Sequence, residues 1–97
     1  MAKLNLDIRK LDAAASRLRS IAHPTRITII HMLESIENMN VTSIYKRLKI
    51  EQASASHHLH ILKSNGMLES RRAGKNTLYS LRPQALNALL ECIKKCT

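Results

Sequence analysis

Residues 52–68 read QASASHHLHILKSNGML. Ala55, Leu59 and Leu62 recur at steps of four and three, which places them on one side of a helix. Ser54, His57, His60 and Ser64 fall on the other side, with Gln52 and Ser56 near its start. The run closes on Asn65-Gly66, and glycine suits the left-handed residue that ends a helix. Just upstream, Lys49 to Gln52 is a tight connection in which Ile50 is expected to pack into the core. Before that, Thr42 or Ser43 can cap a short helix containing Ile44, Tyr45 and Leu48. Two helices joined by about three or four residues predict helix-turn-helix geometry over residues 42–66.

The period changes after Gly66. Met67-Leu68-Glu69-Ser70-Arg71-Arg72 reads as extended chain and Ala73-Gly74-Lys75-Asn76 as a turn. Thr77-Leu78-Tyr79-Ser80-Leu81 alternates and is rich in strand formers. The expectation is a basic β-hairpin, a wing over residues 67–81. Pro83 then opens a last helix, with Leu86, Leu89, Leu90, Ile93 and Cys96 on its apolar face. On the other side of the motif, Pro24 suits the first turn of an Ile-rich core helix that runs to about Glu34. Ser35 to Asn40 reads as a polar loop. The first segment carries Leu4, Ile8, Leu11, Ala15, Leu18 and Ala22 on one helical stripe. That stripe wants a neighbour, either the rest of its own domain or another subunit. The expected fold is mainly α with a small β-hairpin, in the order α-α-α-α-β-β-α. It is one winged helix-turn-helix domain over residues 1–97, with no internal repeat, low-complexity tract or linker.

A chain of 97 residues has the size of one small domain. Two tyrosines, with no Phe or Trp, leave the packing to Ile and Leu, and argue against stacking of unpaired bases on aromatic platforms. The formal net charge of +9 points to an anionic partner, nucleic acid first and an anionic membrane surface second. No apolar run approaches the roughly 18 residues of a transmembrane helix. The opening MAKLNLDIRKLD lacks the apolar core of a signal peptide. Two cysteines do not make a disulfide framework, so the expected location is cytoplasmic.

Three stretches together carry a family resemblance. Ala22-His23-Pro24-Thr25-Arg26 resembles the "A-x-P-T-R" start of the second helix in the ArsR family of bacterial winged-helix repressors. Gln52 to Leu68 is similar to that family's recognition helix, "Q-x-x-x-S-x-H-L-x-x-L-x-x-x-G-L". Arg71-Arg72-Ala73-Gly74-Lys75-Asn76 followed by Tyr79-Ser80-Leu81 looks like its wing. The likeness runs from about Leu18 to Leu81. It implies a homodimer built by the first and last helices, here 1–22 and 83–97, with Leu4, Ile8, Leu11, Leu18, Leu86, Leu90 and Ile93 at the interface. It also implies a double-stranded DNA operator with two-fold symmetry. Many members release DNA when an inducer, often a metal ion, binds.

Helical phase tests the metal idea. His57 lies nearly opposite the core face, His58 at its edge, and His60 about 160° around the axis from His58. Three imidazoles so placed cannot converge on one ion, and the i,i+3 pair His57 and His60 faces outward. His58 reads as a partly buried histidine hydrogen-bonded within the domain. One family type of metal site uses a "C-x-C" pair at the start of the third helix, where this chain has Asn40 and Thr42. Another uses Asp and His early in the last helix and His late in it, where this chain has Pro83, Ala85 and, near the late position, Cys96. Neither set survives, and no metal ligand, cofactor or catalytic residue is assigned. Cys92 and Cys96 could serve as apolar filler at a dimer seam, as a redox pair, or as two ligands of an ion completed by a partner. Helical i,i+4 Cβ atoms lie about 5–6 Å apart, too far for a disulfide inside an intact helix. Family members that sense sulfur or oxidants pair a second-helix cysteine with a last-helix one, and the second helix here has none.

The expected DNA contacts follow. Gln52, Ser54, Ser56, His57 and His60 on the recognition helix are assigned to base edges or phosphates. Arg71, Arg72 and Lys75 in the wing, with Lys46, Arg47 and Lys63, are assigned to phosphates or the minor groove. No acidic residue occurs between Glu69 and Glu91. An enzyme is not expected, because the chain has only two glycines and no carboxylates set with its histidines. The alternatives are a thiol-based redox or metal-sensing repressor using Cys92 and Cys96, and a winged-helix module for protein contact. The inducer is not named by the sequence.

Overall fold

The computed structural model describes residues 8–85 and 87. In chain order it contains α1 (Ile8–Ile21), α2 (Pro24–Ser35), β1 (Met39–Asn40), α3 (Val41–Leu48), α4 (Gln52–Ser64), β2 (Leu68–Ala73) and β3 (Asn76–Leu81). This is a winged helix-turn-helix: α3 and α4 form the helix pair, and β2 and β3 form the wing. The apolar face expected for the last helix, Leu86, Leu89, Leu90, Ile93 and Cys96, lies outside the described residues, as do Cys92 and Leu4.

The core gathers Ile29, Ile30 and Leu33 of α2, Ile44 of α3, Leu59 and Leu62 of α4, and Met39, Met67, Leu68 and Ala85. Each helix contributes through its own sequence logic. Pro24 occupies the first turn of α2, where its missing N–H costs nothing, and His23 caps the helix by accepting from the Thr25 amide at Nδ1, 3.1 Å away. α3 starts one or two residues before the expected caps Thr42 and Ser43. Asn40 is the cap: its Oδ1 accepts from the Ser43 amide at 2.8 Å.

Both helices of the motif end the same way. At α4, Gly66 takes φ of 76°, Met67 N donates to the Leu62 carbonyl at 2.9 Å, and Gly66 N donates to the Lys63 carbonyl at 3.0 Å. These are the paired bonds of a Schellman closure. At α3 the same bonds run from Ile50 N to Tyr45 O at 3.2 Å and from Lys49 N to Lys46 O at 3.3 Å, but the left-handed residue is Lys49, with φ of 56°. Ile50, expected in the core, is only half-buried.

One expectation needs correction. The polar loop from Ser35 to Asn40 ends in a strand: Met39 pairs with Tyr79 and Asn40 with Leu78, which enlarges the hairpin to an antiparallel sheet of order β1-β3-β2. Two residues are too few to show alternation, and their partner lies far along the chain. The stripe on α1, for which either its own domain or another subunit could supply the cover, is covered only in part: Leu11 and Ala15 are half-buried. Ala14 and Ser20 are the buried residues of α1, whereas Ile8 is 78% and Leu18 40% exposed.

Replacing the α3 cap tests this account. Asn40→Ala should lower unfolding free energy by about 1 kcal/mol in chemical denaturation, with Asn40→Asp close to the parent.

Candidate nucleic-acid interface

Burial of one face of α4 orients the other. Ala55, Leu59 and Leu62 are fully buried. Gln52, Ser54, Ser56, His57, His60, Lys63 and Ser64 are all exposed. They form one polar surface of short donors and acceptors, the chemistry that reads base edges from a helix in the major groove. Ser64 Oγ lies 3.5 Å from His60 Nε2.

The wing joins this surface through its inner face. Leu68, Ser70 and Arg72 alternate onto one side of β2, opposite Leu81, Tyr79 and Thr77 of β3. Leu68 is buried at the root. Farther out, Ser70 accepts from Lys63 Nζ of α4 at 2.7 Å, and Arg72 Nη1 donates to Thr77 Oγ1 at 3.4 Å across the hairpin. Lys63 and Arg72 therefore lie on the helix side of the wing. Arg71 does not. It shares the outer face with Glu69 and lines a surface groove with Glu69 and Glu37. Gly74 and Lys75 form the two-residue turn between Ala73 and Asn76. Only Gly74 of the two takes a positive φ, 64°, the pattern of a type II′ hairpin turn. Lys75 is thereby exposed at the tip, and Lys46 and Arg47 are exposed in the last turn of α3.

His58 turns away from that surface. It is half-buried, its Nδ1 accepts from Arg26 Nε at 3.2 Å, and its ring centroid lies 4.6 Å from that of His23. Burial, then the neighbouring His23, Arg26 and His57, hold its pKa below the ordinary histidine range. The Nδ1 atoms of His23 and His58 both accept hydrogen bonds, so the neutral rings carry their protons on Nε2. Ligation by either nitrogen would require giving up a hydrogen bond or a proton. Among the described residues no group of three or more His, Cys, Asp or Glu is placed to hold a metal ion. Sequence reasoning anticipated an internal bond for His58 but missed its partner Arg26. It also missed Ser70, because a contact between a helix and a distant strand leaves no periodic trace.

The fold and this surface define a winged helix-turn-helix DNA-binding protein. The profile of the bacterial regulatory protein, arsR family, matches residues 23–70. The transcriptional regulator NmtR of Mycobacterium tuberculosis is 31% identical over 86 residues, 89% of this chain and 71% of that one. The crystal structure of the transcriptional repressor PagR of Bacillus anthracis matches with a TM-score of 0.73 at 29% identity, over 88% of this chain and 98% of that one. A homodimeric winged helix-turn-helix DNA-binding domain from Mycobacterium bovis shares the fold with a TM-score of 0.78 at 23% identity, over 97% and 86% of the two chains. The chain belongs to the ArsR family, whose members are DNA-binding transcriptional regulators and not enzymes. No helix among the described residues is long and apolar enough to cross a membrane.

The division of the wing into two faces predicts unequal arginines. Arg72→Ala should weaken binding to every duplex and reduce the salt dependence of affinity by about one phosphate contact, whereas Arg71→Ala should do less. Titrations of both variants at several salt concentrations check this.

Proposed function

We propose that this chain is a homodimeric repressor that binds an operator with two-fold symmetry, each protomer laying α4 in a major groove and its wing along the adjacent backbone. The carrying observation is the continuity of the exposed α4 surface with the inner face of the wing through Lys63 and Ser70. Gln52, Ser54, Ser56, His57 and His60 meet base edges and nearby phosphates. Lys46, Arg47, Lys63, Arg72 and Lys75 meet phosphates, and Arg71 contributes less from the outer face. Lys63 spends one donor on Ser70 and keeps two for a phosphate.

The dimer reading rests on the exposed Ile8 and Leu18, an apolar surface that a second α1 would cover together with half-buried Leu11. The homodimeric M. bovis domain supports it. In this reading 1–22 and 83–97 dimerise, 42–66 and 67–81 read DNA, and the protein acts in the cytoplasm.

The reading also holds that the family's usual metal sites are lost. Asn40 is committed as the α3 cap, Thr42 offers no thiolate, and neither Pro83 nor the buried Ala85 can ligate. Operator binding should therefore change little with zinc, copper, arsenite or DTT. A large thiol-dependent shift that disappears in Cys92→Ser would replace this with a sensing role for the cysteines.

Footprinting tests the central claim. A symmetric protected site is expected, with Gln52→Ala and His57→Ala narrowing the gap between operator and random duplex by about 1–3 kcal/mol for each lost base contact. The absence of a protected site at low salt would refute it. Sedimentation at micromolar concentration should give twice the 11.0 kDa chain mass.

A further inference from the structure

Two polar bridges connect α1 with α4. Ser16 Oγ donates to Asn65 Oδ1 at 3.0 Å, and Asn65 Nδ2 donates to the Ile61 carbonyl at 2.9 Å, which ties α1 to the C-terminal end of α4. The second bridge is a single arginine. Arg26 Nη1 donates to the Ser20 carbonyl in the last turn of α1 at 2.9 Å, while its Nε donates to His58 Nδ1 in the middle of α4 at 3.2 Å. His57, the next residue, belongs to the exposed surface assigned to DNA.

We propose that Arg26 and His58 are positioning residues for operator recognition: the arginine braces α4 against α1, and the brace holds only while the His58 ring is neutral. The inference rests on the reading of α4 as the DNA-contacting helix. Its chemistry is simple. A neutral His58 offers the Nδ1 lone pair to Arg26. A protonated His58 presents an N–H there, so donor faces donor and cation faces cation. The charged and titratable groups that act on His58 are His23 at the start of α2, Arg26 on α2 and His57 on α4 itself. Among the described residues no carboxylate is included in that set.

Because folding lowers the His58 pKa, the unfolded chain binds the proton more readily. The brace therefore contributes fully above the ordinary histidine pKa and is lost as pH falls through the lowered folded value. General electrostatics runs the other way. Acidification makes a basic chain more positive and strengthens its attraction to any duplex. A loss of operator preference on acidification is thus a signature that charge alone does not produce.

Asn in place of His58 separates these effects, since its Oδ1 lies near the position of Nδ1, accepts from Arg26 and does not titrate. Operator and random-duplex affinities would be measured at fixed salt from about pH 8 down to the lowest pH at which the chain stays folded. The wild type should lose about tenfold in the ratio of the two, the worth of one charge-assisted hydrogen bond. His58→Asn should keep a flat ratio, and Arg26→Gln should start low and stay low. Circular dichroism at each pH confirms folding, and His58→Asn carries the test if Arg26→Gln fails to fold. A DNA-free arm follows the imidazole nitrogen shifts of His58, which should show the Nε2–H tautomer and a midpoint that rises in Arg26→Gln. An Nδ1–H tautomer overturns the brace. An operator-binding wild type whose pH slope is shared by His58→Asn overturns its role in recognition alone. A wild type that binds no operator at any pH overturns the DNA reading itself.

Discussion

Ala55, Leu59 and Leu62 are withdrawn completely from solvent, and burying that one stripe decides where every other side chain of α4 points. A helix has one rotation about its axis that hides a given stripe, so Gln52, Ser54, His57 and His60 are exposed as a set. The partners of the stripe come from α2 and α3, through Ile29, Ile30, Leu33 and Ile44. Removing a buried leucine of this kind typically costs about 2–5 kcal/mol. In this small core it would also free the rotation on which the outward surface depends.

Local signals were legible where local chemistry does the work. The steps of α4, the glycine after it, the proline that opens α2 and the alternation of Thr77 to Leu81 each carry their cause within a few residues. The helix-turn-helix, the wing and the outward phase of His57 and His60 follow from these. What the sequence hid were features made by distant partners. Met39 and Asn40 become a strand only because Tyr79 and Leu78 arrive beside them. Arg26 reaches His58 across 32 residues. Lys49 takes a left-handed conformation that its side chain does nothing to announce. The stripe on α1 announced a need for cover without saying from which side, and the exposure of Ile8 and Leu18 leaves part of it turned outward.

Charge is distributed with similar economy. The net charge of +9 indicates an anionic partner but no direction. Strand alternation supplies the direction by sending Arg72 to the helix side and Arg71 to the side shared with Glu69. Adjacent arginines that look interchangeable in sequence therefore sit on different faces of the wing. The three histidines separate in the same way, two in solvent and one held by Arg26.

Asn40 has two attachments at once. Its backbone belongs to the sheet, paired with Leu78, and its side chain caps α3. On the opposite flank, Ser70 of the wing is tied to Lys63 of α4. The hairpin is thus attached to both helices it accompanies, which sets its spacing from α4. A duplex that touches both must present its groove and its backbone at that separation. Sequences that bend or narrow to meet it at low cost would then be favoured before any base edge is read.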